Sequence, residues 1–141
     1  MVNPIYLLDT NAISEPLRPV PNAALLTKLS ENADGLAIPA VVWHELLYGA
    51  YRLPESRRRT VIEQYLFDVV RPTIPVLPYE ARAAQWHASE RARLAQRGQP
   101  PSFADGQIAA IAAVHGLTLV TANTTDFAQF QNLRLENWLG Q

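Results

Sequence analysis

Cysteine is absent from this chain. Its absence excludes disulfides, thiolate metal sites and cysteine nucleophiles together, and it fits a reducing compartment. Lysine is almost absent: Lys28 stands alone beside eleven arginines, and none follows it. Phosphoaspartate chemistry of the phosphatase or receiver-domain kind needs a late lysine, and the phosphatase version also wants an acid where Asn11 stands. Both are disfavoured. There is no Gly-x-Ser-x-Gly, which removes the serine-hydrolase elbow. His44-Glu45 opens like a zinc-protease motif, but position 48 is Tyr rather than the second His. His87 and His115 have no ligand-like spacing and read as ordinary helix residues. No apolar run approaches the roughly 20 residues that span a bilayer, and no basic flank precedes a long apolar stretch near residue 1. A soluble, cytoplasmic protein with no membrane partner is the expectation. Excess positive charge is missing too: 12 basic against 13 acidic residues give −1. A polyanion would have to be held by local arginines or a metal rather than by a global field.

What is present is enough for one domain. At 141 residues, with 48% hydrophobic and 18% charged, the chain can bury a core and is not disordered. Ile5-Tyr6-Leu7-Leu8 reads as a buried strand ending at Asp9-Thr10-Asn11. A short helical turn over 12–17 is stopped by prolines, and Asn22 caps a helix to Glu31. Leu36-Ala37-Ile38 is a strand, and Pro39 opens an apolar helix containing Glu45. A helix over 55–70 ends at Pro72, and Ile74–Leu77 is a proline-interrupted edge strand. Helices follow over 79–97 and, between the cap Ser102 and the terminator Gly116, over 103–115. Leu117–Thr121 is a strand, 122–127 a polar loop, and 133–135 a last strand. Strands alternating with helices predict an α/β fold: one three-layer α/β/α domain with a mainly parallel central sheet.

Four acids fall where such a fold can gather them: Asp9 after the first strand, Glu45 in the helix after the second, Asp105 in a first helical turn, and Asp126 beyond the 117–121 strand. Each also has an ordinary reading. Asp9 suits a helix cap, Glu45 a side chain reaching out of a buried helix, Asp105 a capping box with Ser102, and Asp126 a solvated turn. Their joint arrival at strand ends is what those readings do not predict. Clustered carboxylates repel unless a cation is shared, and oxygen donors without sulfur favour magnesium or manganese over zinc. A phosphodiester is the natural substrate of such a site.

The motifs resemble those of PIN-domain ribonucleases, most closely the VapC/FitB-like toxins of type II toxin–antitoxin pairs. Leu8-Asp9-Thr10-Asn11 with Ile13-Ser14-Glu15 is similar to the family's opening motif, and Trp43-His44-Glu45-Leu46 with Gly49 to the second. Asp105-Gly106-Gln107-Ile108-Ala109-Ala110 is similar to the third, Thr121-Ala122-Asn123-Thr124-Thr125-Asp126-Phe127 to the fourth, and Asn137-Trp138 to the usual ending. The resemblance spans the chain. It implies a metal-dependent endoribonuclease acting on RNA through metal-activated water, with Mg2+ (or Mn2+) on Asp9, Glu45, Asp105 and Asp126. Thr10, Asn11, Thr121 and Asn123 would orient those ligands. It also implies a cognate antitoxin protein and a homodimer.

The chain departs from the family pattern at two places. Asn123, a neutral amide, stands where many members carry a fourth acid, which leaves Asp126 to substitute or the site to run on three acids. Gly106 replaces the alanine more often found after the aspartate, a change that weakens a helical turn. The Arg57-Arg58-Arg59 run reads as a solvated face or as a contact for RNA or an acidic partner. The alternative to a nuclease is a non-catalytic PIN-like RNA- or protein-binding module.

Overall fold

The structure, a computed structural model, describes residues 3–140. Five short strands, β1 (Tyr6–Leu8), β2 (Leu36–Pro39), β3 (Val76–Leu77), β4 (Thr118–Val120) and β5 (Arg134–Glu136), form one parallel sheet in the order β3-β2-β1-β4-β5. Parallel neighbours cannot be joined by tight turns, so the chain crosses between them through helices. In the centre Leu7 lies in register with Ala37 and Leu119, and all three are fully buried. Leu8 is fully buried as well. Because adjacent strand residues point to opposite faces, burial of both Leu7 and Leu8 requires cover on both sides of the sheet. The fold is therefore the three-layer α/β/α arrangement that the alternation of elements predicts.

The helices are α1 (Thr10–Ser14), α2 (Ala23–Glu31), α3 (Ala40–Tyr51), α4 (Arg57–Gln64), α5 (Arg71–Thr73), α6 (Ala81–Gln96), α7 (Phe103–His115) and α8 (Thr124–Phe127). Local signals set most of their ends. Asn22 Oδ1 accepts from the Leu25 N–H at 3.0 Å and Ser102 Oγ from the Asp105 N–H at 3.1 Å. Gly116 closes α7 at φ 66°, a left-handed conformation that favours glycine.

Several predicted boundaries shift, and three of the changes have a local cause. The helix expected from Glu55 starts at Arg57, because Ser56 Oγ takes the Arg59 N–H as its cap. Nor does Pro72 end that helix. Tyr65–Val70 winds into a wider π-type turn in which the Arg71 N–H reaches back five residues to the Leu66 carbonyl. Pro72 then falls in the first turn of α5, where a missing N–H costs little. The third change is in the loop over 122–127, which contains the single turn α8. Phe127, 1% exposed, packs beside Phe130 and pins that turn to the core.

A buried acid ties α6 to the segment leading into β5. The Glu90 carboxylate accepts from Arg93 Nε at 2.7 Å and Nη2 at 2.9 Å, and from the Gln131 N–H at 2.7 Å. The Arg93 hydrogen bonds hold its carboxyl below the usual range, against the opposing effect of burial. Glu90→Gln should lose about 1.5–3 kcal/mol at neutral pH. A depressed folded-state pKa contributes stability in full above the ordinary value of about 4.3, and that contribution is lost as pH falls through the folded value. The difference in urea midpoint between wild type and variant should therefore shrink toward about pH 3; a constant difference would refute this account.

Candidate active site

The strand order reverses between β1 and β4: the chain works outward from β1 to β2 and β3, then returns to β1's other side. Such a switch point leaves a crevice beyond the carboxyl ends of the two strands. Asp9 leaves β1 into it. Its N–H donates to the Val120 carbonyl at 3.0 Å, extending the ladder one residue past the strand. The capping reading of Asp9 holds, and its second oxygen is engaged across the sheet. Oδ1 accepts from the Thr10 N–H at 2.7 Å at the start of α1, while Oδ2 accepts from Thr121 Oγ1 at 2.9 Å across the switch point. Thr121 is itself fixed, since its N–H donates to the Glu136 carbonyl and its Oγ1 accepts from the Asn123 N–H at 3.0 Å. With Asn123 supplying a proton to that hydroxyl, the Thr121 proton is committed to Asp9. Each Asp9 oxygen keeps a lone pair free for a further partner.

Asp105 sits in the first turn of α7, half-buried. Burial pushes its carboxyl above the ordinary range. The Ser102 hydroxyl works against that shift, and the charges of Asp9 and Asp126 add to it. Asp126, exposed in α8, is thus within electrostatic reach of Asp105. Asp9 and Asp126 thus both act on Asp105 through their charge. Glu45 is different: half of its side chain is accessible on α3, with Oε1 3.8 Å from His44 Nδ1, and it exerts no resolved effect on Asp105. Among the described residues no three His or acidic side chains are already closed into a cluster tight enough for an ion. The donor chemistry nevertheless suits a hard divalent cation, being oxygen-only with two acids whose charges raise the proton affinity of Asp105.

Thr10 contributes its backbone N–H and Asn123 its backbone N–H, rather than their side chains. Asn11 is exposed, and its carbonyl accepts from Ser14 Oγ at 3.4 Å. Of the arginine run, Arg59 is engaged locally by Glu63 at 2.7 Å and by the Leu53 carbonyl at 3.1 Å. Arg57 and Arg58 are exposed.

Sequence reasoning missed a contact behind Asp105. His87 of α6 is 1% exposed, with Nδ1 2.7 Å from Tyr79 Oη and its ring 4.9 Å from that of Phe103. A Cβ at Gly106 would lie 2.0 Å from His87 Nε2. The glycine after Asp105 is therefore no mere weakening of the helix. It makes room for an imidazole that packs against the turn carrying the acid. Burial, with a smaller contribution from Arg91, lowers the His87 pKa, which keeps the ring neutral.

Fold and crevice together define an α/β domain whose ligand site lies across the carboxyl ends of parallel strands. Residues 6–133 match the PIN domain, and the chain belongs to the PIN-domain family. Within it the chain is 36% identical over 135 residues to a tRNA(fMet)-specific endonuclease VapC of Shigella flexneri, covering 94% of this chain and 97% of that one. It is 35% identical over 126 residues to the toxin FitB of Neisseria gonorrhoeae, covering 87% and 91%. The crystal structure of FitAcB from Neisseria gonorrhoeae superposes with a TM-score of 0.87 at 32% identity, covering 94% and 97%. These two relatives are named an endonuclease and a toxin, and nucleases of this family generally need a divalent metal.

The His87–Gly106 contact gives a direct test. Gly106→Ala alone should cost about 1–3 kcal/mol or more through overpacking. In a His87→Ala background the same change should become neutral or slightly stabilising, since alanine is the better helix former. Additive losses in a double-mutant cycle would show that the two residues do not meet.

Proposed function

We propose that this chain is the toxin of a type II toxin–antitoxin pair, a cytoplasmic endoribonuclease that hydrolyses RNA phosphodiester bonds with Mg2+, or Mn2+, at the switch-point crevice. The observation that carries this reading is the Asp9 carboxylate, locked by Thr10 and Thr121 beside Asp105 and Asp126. Asp9 and Asp105 would hold the ion, with Glu45 joining from α3 and Asp126 taking the corner where Asn123 brings no charge. When bound, the cation lowers the pKa of water and offsets charge on the phosphoryl oxygens. The protein's own part is positional. Thr121 directs its proton to one Asp9 oxygen, so the carboxylate cannot rotate away from the crevice. The Asp105 carboxyl is raised above the ordinary range, so a metal bound there would compete with protons more than at an ordinary aspartate. A cognate antitoxin would cover the crevice, and two copies of the chain would form the working toxin. Solved neighbours of the fold include toxin–antitoxin complexes, which supports the antitoxin as partner. No described helix is long and apolar enough to cross a membrane.

Cleavage of RNA should require added magnesium or manganese and stop with chelator. Asp9→Asn and Asp105→Asn should each lose more than about 100-fold, whereas Thr121→Val, which removes a partner of a ligand, should lose about 10–100-fold. Without metal, Asp105→Asn should melt no lower than wild type, because it removes a carboxylate that burial and like charges disfavour. Full activity of either Asn variant would sink the site, and metal-independent RNA binding without cleavage would favour a binding module. For the assembly, light scattering should give twice the mass of one chain. A one-chain mass at working concentration would reject the dimer.

A further inference from the structure

Thr121, which donates to Asp9, also lines a cavity of about 440 Å3, large enough for a nucleotide. Its walls include Asn11 and Ser14 of α1, Thr121 after β4, and Trp138, whose ring packs edge-on to Tyr6 with centroids 4.9 Å apart. Next along the chain from the lining residue Leu139, Gly140 is tied to Asn22 by reciprocal hydrogen bonds of 2.8 and 3.1 Å. The same cavity is lined by Glu15, a carboxylate only 6% exposed that has no part in the proposed chemistry. Its Oε1 accepts from the Asn22 N–H at 3.0 Å, while Oε2 faces Arg18 Nη1 at 3.5 Å, longer than a strong hydrogen bond. Oε2 thus retains capacity to accept. Arg18 is largely exposed at the rim and brings a cation to an otherwise acidic neighbourhood.

The geometry points to a base-binding subsite here, in which Glu15 reads a guanine flanking the scissile phosphate and Arg18 meets a neighbouring phosphate. An ionised carboxylate only accepts, so the base it selects must present donors. Guanine offers two adjacent ones, N1–H and the N2 amino group, to a single carboxylate, whereas adenine and cytosine offer one amino group and uracil one imino N–H. Single-stranded RNA is read on such edges. Thr121 belongs to both the cavity and the Asp9 hydrogen bond, which places the subsite next to the acids. The inference rests on the ribonuclease reading for its biological meaning, but not for its test.

The test is a titration of the 15N-labelled full chain with GMP, AMP, CMP and UMP, followed by NMR. GMP should shift the Trp138 indole and Ser14 amide signals and bind at least about tenfold tighter than AMP, the lower range for one bidentate pair. Glu15→Gln should abolish that preference. Arg18→Ala, at an exposed position that leaves the fold intact, should weaken GMP but not guanosine, so the test survives if the Glu15 variant does not fold. Equal response to GMP and AMP, or none to any nucleotide, overturns the subsite. No response is also what a cavity built for an antitoxin side chain would give. Wild type that cuts RNA yet ignores GMP defeats the subsite alone, and wild type that binds GMP here yet leaves RNA intact defeats the ribonuclease reading alone.

Discussion

The hydrogen bond from Thr121 Oγ1 to Asp9 Oδ2 joins residues 112 positions apart and fixes the geometry on which the crevice depends. It forms only because β1 and β4 are neighbours in register, with Leu8 opposite Val120, so that both chains leave the sheet at the same level. Sheet register is specified by the layers packed on it, since a slip by one residue would turn the buried Leu7, Leu8 and Leu119 to the opposite layer and out of their packing. The core's hydrophobic pattern thereby sets the position of a polar contact that contributes little burial itself. The stability of the sheet and the placement of the acid are one constraint.

That constraint has a cost at Asp105. Its carboxylate is brought toward two others, partly buried and opposed by only one compensating hydrogen bond, from Ser102. A domain selected for stability alone would not place it there. The packing behind it shows how the cost is borne. α7 is held against α6 by a neutral, buried His87 that occupies the space Gly106 leaves. The acid therefore sits on a turn that is rigid from behind and repelled from the front, the condition under which a cation gains most by binding.

Much of this was legible in the sequence where the signal was local. Ser102 and Gly116 bracket α7 as predicted, and Asp9 ends its strand as predicted, because caps and strand ends are set by residues within a few positions. The illegible parts depend on partners far along the chain. Pro72 fails to end its helix because the π-type turn before it has already shifted the hydrogen-bond ladder. His87 read as an ordinary helix residue and Gly106 as a flaw, since each makes sense only against the other. Glu15 was visible inside the opening motif, but the cavity it lines is shared with the distant residues Asn137–Leu139. Glu45 marks the opposite limit: its motif was clear, while its exposed side chain beside His44 is not drawn to the acids by the protein alone.

One segment, 9–15, serves both ends of the proposed site. α1 is only five residues long, so Asp9 enters it at the crevice and Glu15 leaves it at the cavity, six residues on. A chain of net charge −1 exerts no long-range pull on RNA. Binding must then come from short-range groups, and those groups must lie beside the chemistry if they are to orient the scissile bond. Arg18, three residues beyond Glu15 and paired with it, meets that requirement, whereas Arg59 is consumed by Glu63. The scarcity of lysine points the same way. A planar guanidinium binds a phosphate in a defined direction where an ammonium would supply only charge. In a protein without an attractive field, directional contacts of this kind are what remain to hold a polyanion against a cluster of carboxylates.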